Sequence, residues 1–362
     1  MFWKRTKFDQ HVAVFGESGS GKTTLISVFY GHQQTAKFSR VAGYSLLAAD
    51  TTQGHKLLKA YHQIEDDLLP PSTRYRHSVF SFRIRPDKLK KDAGRLLWHD
   101  YPGEWWSETR GGEEGERKKE AFKTLLCSDV ALLLVDGQRL LEDKEQYLPR
   151  LFKSFRDELS RQRELLIEKD SFLECFPRVW IICLSKADLF PEKNVEWFRN
   201  KVVKEANEEL TALRDEIKTM VNKPEFIALG EEYLLLSSAK FDPETGKIQD
   251  PKKTIGIDLI SPLAITSPLR HAKKWVQIEV GGKKAALLLA EAFRGVTTGW
   301  MRILPIVGSF FTLLDEELKG GTQKLRQIHE NAIEKGDAVE AILAAFQMRL
   351  SHPKTEKVYL VS

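Results

Sequence analysis

The residues Gly16-Glu17-Ser18-Gly19-Ser20-Gly21-Lys22-Thr23 stand between a short apolar run, His11 to Phe15, and a helix-forming one, Lys22 to Tyr30. They match G-x-x-x-x-G-K-[ST], and the strand-to-helix setting is the one in which that pattern binds phosphate. Glycines let the backbone fold so that successive N–H groups point inward, and the following helix presents its positive end to the same anion. Gly16, Ser18, Gly19, Ser20, Gly21, Lys22, Thr23 and Thr24 are therefore the candidate phosphate-binding residues. Lys22 would reach the β- and γ-phosphates, and Thr23 would offer its hydroxyl to Mg²⁺. Ser18 stands close to where a γ-phosphate would sit. The loop specifies a nucleoside triphosphate but does not choose between adenine and guanine.

Three later fragments bear on that choice. Leu97-Trp98-His99-Asp100-Tyr101-Pro102-Gly103-Glu104 closes a strand with an Asp and places a Gly three residues on. The Asp100 carboxylate can hold Mg²⁺ through a water, and the Gly103 N–H can sense a γ-phosphate. Trp180 to Leu184 is a fully apolar run ending in Ser185-Lys186-Ala187-Asp188. A carboxylate accepts from both the ring N–H and the exocyclic amine of guanine, whereas adenine would leave it unpaired. Asp188 is thus the base-selecting candidate, with the Lys186 stem covering one ring face. After the last strand, Ser238-Ala239-Lys240 can present a backbone N–H to guanine O6. All three fragments fall at strand ends, where ligands of open α/β sheets bind.

The elements that must position these residues follow from the alternation of short apolar runs with longer helical patterns. Strands are predicted at His11–Phe15, Val79–Ile84, Arg95–His99, Val130–Val135, Val179–Leu184 and Tyr233–Leu236. Helices are predicted at Lys22–Tyr30, Gly54–Leu69, Arg117–Leu126, Lys144–Glu168 and Val195–Met220. The second and third strands are joined too tightly for a crossover helix, so they form an antiparallel hairpin at one edge. The expected fold is α/β: a mixed six-stranded sheet, five strands parallel and one reversed, flanked by helices. A Pro- and Gly-punctuated turn at 242–247 then separates two short extended segments. The expected division is a nucleotide-binding domain over 1–260 and a mainly helical region over 261–362 packing on it.

The strings GESGSGKT at 16–23, DYPGE at 100–104, SKAD at 185–188 and SAK at 238–240 resemble the translation-factor and Ras-like (TRAFAC) class of P-loop GTPases over about residues 8 to 245. The Asp-Tyr-Pro-Gly-Glu-Trp string and the insertion before the second strand are most similar to the bacterial YcjX-like and double-GTPase groups. The resemblance implies GTP and Mg²⁺ binding, slow hydrolysis and a conformational switch. It also implies a Thr that closes over Mg²⁺ and γ-phosphate before the edge strand. Thr73, beside Pro70-Pro71, is favoured over Thr51 and Thr52, and Arg74 or Arg76 competes between an in-cis finger and a solvated arginine. The catalytic set is then Lys22, Thr73, Gly103 and Glu104, and the metal set is Thr23, Thr73 and Asp100. Two positions depart from the class. Ser185 replaces the usual Asn or Thr, which puts one hydrogen bond toward the phosphate loop in question. Glu104 replaces a water-orienting Gln and adds negative charge near the γ-phosphate. Trp105 and Trp106 follow, and read either as a hot spot for a protein effector or as packing residues.

The chain has 362 residues, 42% hydrophobic and 30% charged, which excludes collagen, coiled coil and disorder. Its net charge of +5 is dispersed in short basic pairs, so no nucleic-acid partner is expected. Cys127, Cys175 and Cys183 lack metal-type spacing and read as free thiols in a reducing, cytoplasmic setting. Neither a secretory leader nor a lipidation signal is read at the ends. Residues 285–314 are strongly apolar but interrupted by Glu291, Arg294, Arg302 and Pro305. A membrane-spanning helix is not expected there, and two readings stand: a buried helical pair, or an amphipathic segment giving peripheral membrane association. Two rivals to a GTP hydrolase are carried forward, a nucleotide-dependent scaffold with negligible hydrolysis and an ATPase.

Overall fold

The computed structural model describes residues 8–66, 78–100, 113–167, 172–173, 177–222, 224–242, 245, 247–280, 304–351 and 356–360. Among them, an eight-stranded mixed sheet separates two apolar layers. Its strands are β1 (Phe8–Phe15), β2 (Tyr44–Ala48), β3 (Ser78–Pro86), β4 (Gly94–Asp100), β5 (Val130–Asp136), β6 (Val179–Ser185), β7 (Ala228–Leu235) and β10 (Val358–Tyr359). They lie in the order β10-β7-β6-β5-β1-β4-β3-β2. β1, β4, β5, β6 and β7 run parallel, while β3 is antiparallel to β4, β2 to β3, and β10 to β7.

The central strands explain why the α/β pattern was legible. Every residue of β5 (VALLLVD) and β6 (VWIICLS) is buried, as expected where helices cover both faces of a parallel sheet. Each large aliphatic side chain buried there contributes about 1.5–3 kcal/mol relative to exposure. On one face lie α4 (Glu113–Leu126), α6 (Tyr147–Leu166) and α7 (Val195–Met220), packed through Phe122, Phe152, Phe198 and Leu213. α7 begins where the Asn194 side chain accepts the Trp197 N–H, and it kinks at Ala206, whose φ and ψ are −140° and 25°.

The other face carries α1 (Lys22–Gln33), α2 (Ala36–Ala42) and α3 (Thr51–Glu65), with α8 (Ile260–Val280), α9 (Leu304–Glu334) and α10 (Ala338–Leu350) from the C-terminal part of the chain. α10 is buried along most of its length, and its Phe346 meets Tyr44 of β2 edge to face at 4.9 Å. Gly336, at φ 69°, ends α9, and the Asp337 N–H returns to the Ala332 carbonyl at 2.8 Å. Leu263, Ile265, Phe310, Leu313 and Phe346 share one apolar cluster with Val12, Val14, Leu96 and Trp98 of the sheet. From the apolar 285–314 segment, Phe310 and Leu313 are core residues, while 285–303 lies outside the described residues. No helix among the described residues is long and apolar enough to cross a membrane.

Three expectations need correction. The sheet has eight strands and not six, and the β3–β4 hairpin is not at the edge because β2 pairs outside β3. β2 and β10 have five and two residues, too few to show a period, and tertiary pairing to an open sheet edge creates them. Cys127 is disulfide-bonded, so it is not a free thiol, whereas Cys183 is free and buried. Turn 242–247 does connect two short strands, β8 (Lys240–Phe241) and β9 (Ile248–Asp250), which pair antiparallel.

Candidate nucleotide site

The C-terminal ends of the parallel strands converge on one cavity of about 530 Å³, a volume suited to a small organic ligand. Its wall combines Gly19, Ser20, Gly21, Thr24 and Leu25 with Gln138, Leu141 and Glu142 of α5 (Gly137–Glu142). Opposite them stand Ser185, Lys186 and Leu189, then Leu236, Ser237 and Ser238, and finally Phe241, Asp242 and Thr245. Two fragments far apart in sequence thus meet the glycine-rich loop across one space.

At the phosphate end, Gly19 and Gly21 have φ of 84° and 87°, a left-handed conformation that side chains resist. Gly21 precedes α1 without any side-chain cap, so the first N–H groups of that helix have no capping oxygen from Gly21. The Ser20 N–H and hydroxyl both donate to the Glu17 carbonyl, at 3.3 and 2.8 Å, which closes the loop. Lys22 is buried, and its Nζ donates to the Gly16 and Glu17 carbonyls at 2.7 and 2.8 Å. Its ammonium is held inside the loop by the backbone whose N–H groups would face a phosphate. In the register of β1 and β4, Asp100 stands beside Val14, two residues before the loop begins, and is buried at the strand end.

At the base end, Lys186 adopts φ 53° and turns the chain out of β6. Its Nζ contacts Asp136 Oδ2 at 2.9 Å. Asp188 accepts the Phe241 N–H at 2.8 Å through Oδ2 and the Ser237 hydroxyl at 2.5 Å through Oδ1. Ser237 also contacts the Ala239 carbonyl at 2.6 Å. A carboxylate has about four lone-pair positions, so both oxygens retain acceptor capacity toward a ligand. Ser185 donates its hydroxyl to the Val135 carbonyl at 3.1 Å, so that bond runs to β5. Gly137 allows β5 and β6 to end close together, because a Cβ there would lie 2.5 Å from the Ser185 carbonyl oxygen.

Of the sequence-predicted binding residues, Gly19, Ser20, Gly21, Thr24, Lys186 and Ser238 line the cavity. Gly16, Lys22, Asp188 and Ala239 do not line it: Gly16, Lys22 and Ala239 are buried and Asp188 is partly buried, while Lys240 opens β8 and Ser18 is exposed on the loop. Thr73, Gly103, Glu104, Trp105 and Trp106 lie outside the described residues, as do Arg74 and Arg76. Thr51 and Thr52 begin α3, where the Thr52 N–H donates to Asp50. Sequence reasoning passed over Ser237, Phe241, Asp136, Glu17 and Tyr147. The adjacent Ser237-Ser238 pair carried a signal, since only one of two neighbouring strand-end residues can face Asp188. The others had no local signature.

Divalent-cation chemistry can be tested on the donors. Magnesium takes hard oxygen ligands, and the Thr23 hydroxyl and Asp100 carboxylate stand on neighbouring elements at the phosphate end, so the residues present fit such an ion.

A mixed sheet with a parallel centre, with the glycine-rich loop after β1 and further cavity-lining loops after β6 and β7, defines a P-loop nucleotide-binding protein of GTPase architecture. The Double-GTPase 2 family matches residues 10–224, more than half of the chain, and the chain belongs to that family. It is accordingly a GTP-binding protein. Among solved structures, the signal recognition particle receptor SRb-GTP/SRX complex from Chaetomium thermophilum is similar at 14% identity and a TM-score of 0.34, over 67% of this chain and 94% of that one. The S. cerevisiae Ski7 GTPase-like domain bound to GDP and inorganic phosphate is similar at 14% identity and a TM-score of 0.33, over 68% of this chain and 48% of that one. The same domain bound to GTP is similar at 15% identity and a TM-score of 0.33, over 64% of this chain and 43% of that one. No curated protein matches the chain.

Proposed function

We propose that the protein hydrolyses GTP to GDP and phosphate as a slow, Mg²⁺-dependent conformational switch that signals to a protein partner. The observation that carries this reading is the single cavity joining the glycine-rich loop to Lys186, Ser237 and Ser238. The loop N–H groups and Lys22 bind the phosphates, with Lys22 exchanging its backbone carbonyl contacts for phosphate oxygens. Asp188 accepts from the guanine ring N–H and amine, held in place by Ser237 and the Phe241 N–H. The Lys186 stem covers one ring face, and the backbone N–H of Ala239 donates to O6. Thr23 and Asp100 would hold Mg²⁺, which would supply positive charge against the phosphates.

Water attacks the γ-phosphorus as its bond to the β–γ bridging oxygen breaks, so that GDP leaves, inorganic phosphate forms and the water's proton passes to solvent. Thr73 and Gly103 report loss of the γ-phosphate, and Glu104 orients the water at the cost of added negative charge, which favours slow turnover. Trp105 and Trp106 form the effector surface beside that second switch. Single-turnover hydrolysis of GTP, with Mg²⁺ and then with chelator, tests the reading: phosphate release that needs the metal supports it. Tight GTP binding with no phosphate release would replace the hydrolase by a nucleotide-dependent scaffold.

A further inference from the structure

Behind the cavity, a chain of polar contacts runs from the phosphate loop to the base loop. Glu17 leaves the loop toward α5 and α6, where its Oε2 accepts from Arg139 Nη1 at 2.8 Å and from the Tyr147 hydroxyl at 3.3 Å. The same hydroxyl accepts the Asp136 N–H at 3.0 Å. Asp136 is buried at the end of β5, and its Oδ1 accepts the Gln138 N–H at 2.9 Å, which starts α5. Its Oδ2 takes the Lys186 ammonium at 2.9 Å.

We propose that Tyr147 is a positioning residue that couples the phosphate loop to the base loop, so that binding of guanine and binding of phosphate reinforce one another. This rests on the reading of the cavity as a guanine-nucleotide site. The chemistry of the link is specific. A Glu17 carboxylate only accepts and a backbone N–H only donates, so a group that joins them must do both, as a neutral phenol does. Burial, together with the Glu17 charge, holds the Tyr147 hydroxyl far above its ordinary pKa, so it remains a donor at any working pH.

Ser185 does not supply this coupling, because its hydroxyl is directed to the Val135 carbonyl. The Arg139–Glu17 pair offers a second path through α5, but its side chains are 43% and 30% exposed, where an ion pair contributes little. The other route is Glu17–Tyr147–Asp136–Lys186, whose two middle residues, Tyr147 and Asp136, are buried while its ends are partly exposed. It joins the two loops through the end of β5 and the start of α6.

Tyr147→Phe keeps the buried ring and removes only the hydroxyl. Displacement of a fluorescent GDP from the full chain would be measured with GDP, guanosine and pyrophosphate as competitors. Coupling predicts that the variant weakens GDP about tenfold while guanosine and pyrophosphate each change by less than about twofold. A proportional loss for all three ligands, or no loss for GDP, overturns it.

A cycle of Glu17→Gln, Lys186→Ala and the double variant gives a second measure that does not need Tyr147→Phe to fold. The double variant should bind GDP at least about threefold more tightly than the product of the single losses predicts. Strictly multiplicative losses overturn the coupling. A wild-type chain that binds neither GDP nor GTP overturns the nucleotide reading itself, a failure separable from loss of coupling in a chain that binds.

Discussion

The proposed phosphate end of the cavity comes from contiguous residues, a glycine-rich backbone and one buried lysine held by the Gly16 and Glu17 carbonyls. The proposed base end is assembled from the ends of β5, β6 and β7, with side chains that hold one another: Asp136 with Lys186, and Asp188 with Ser237. The first needs only a local conformation, set by two left-handed glycines. The second needs three strands in register, with Gly137 keeping two of their tips close. Damage should therefore differ in kind. Changes at the phosphate end remove binding outright, whereas changes at the base end alter which base is bound, or loosen the site in steps.

The largest effect is expected for Lys22→Ala, which removes the cation proposed to bind the phosphates. GDP affinity measured by calorimetry should fall by about 100-fold or more, the equivalent of losing one or two charge-assisted hydrogen bonds. The thermal midpoint should move little, and a large drop in stability would mean that the lysine holds the loop more than the ligand. Next, Asp188→Asn should lower GDP affinity by roughly 50-fold and raise affinity for xanthine nucleotides, since an amide can donate where a carboxylate only accepts. Unchanged guanine binding would show that Asp188 does not read the base.

Gly137→Ala should cost about 2 kcal/mol of unfolding free energy, because its Cβ meets backbone oxygen that cannot move aside cheaply. Urea denaturation checks this, and a neutral outcome would mean that the strand ends are free to part. Ser237→Ala and Ser238→Ala form the finest contrast. The first removes the hydroxyl on Asp188 and should weaken GDP about tenfold, the second less than about twofold. Equal losses would erase the distinction between the two serines.

The phosphate loop was legible because its function depends on a contiguous string in a strand-to-helix context. β5 and β6 were legible because strands buried on both faces read as unbroken apolar runs. The base end was only half legible. Lys186 and Asp188 announced themselves by spacing, but the serine on Asp188 is Ser237, one residue before the string that resembled the family pattern. Such a shift depends on how β7 leaves the sheet, and strand spacing alone cannot specify it. The Glu17–Tyr147–Asp136 contacts had no signature, since Tyr147 opens a helix with an ordinary amphipathic pattern. β2 and β10 were missed for a related reason, being strands whose partners, and not their own sequences, make them strands.

The central claim is that one cavity joins a phosphate loop to a guanine-selecting base end. The most direct test is a competition titration of labelled GDP on the full chain with GDP, GTP, ADP and ATP, in Mg²⁺. The account predicts that GDP and GTP displace the label at concentrations at least about 100-fold below those of ADP and ATP, the discrimination expected when a carboxylate acceptor is left unpaired by the wrong base. Displacement by adenine and guanine nucleotides at equal concentrations would contradict it.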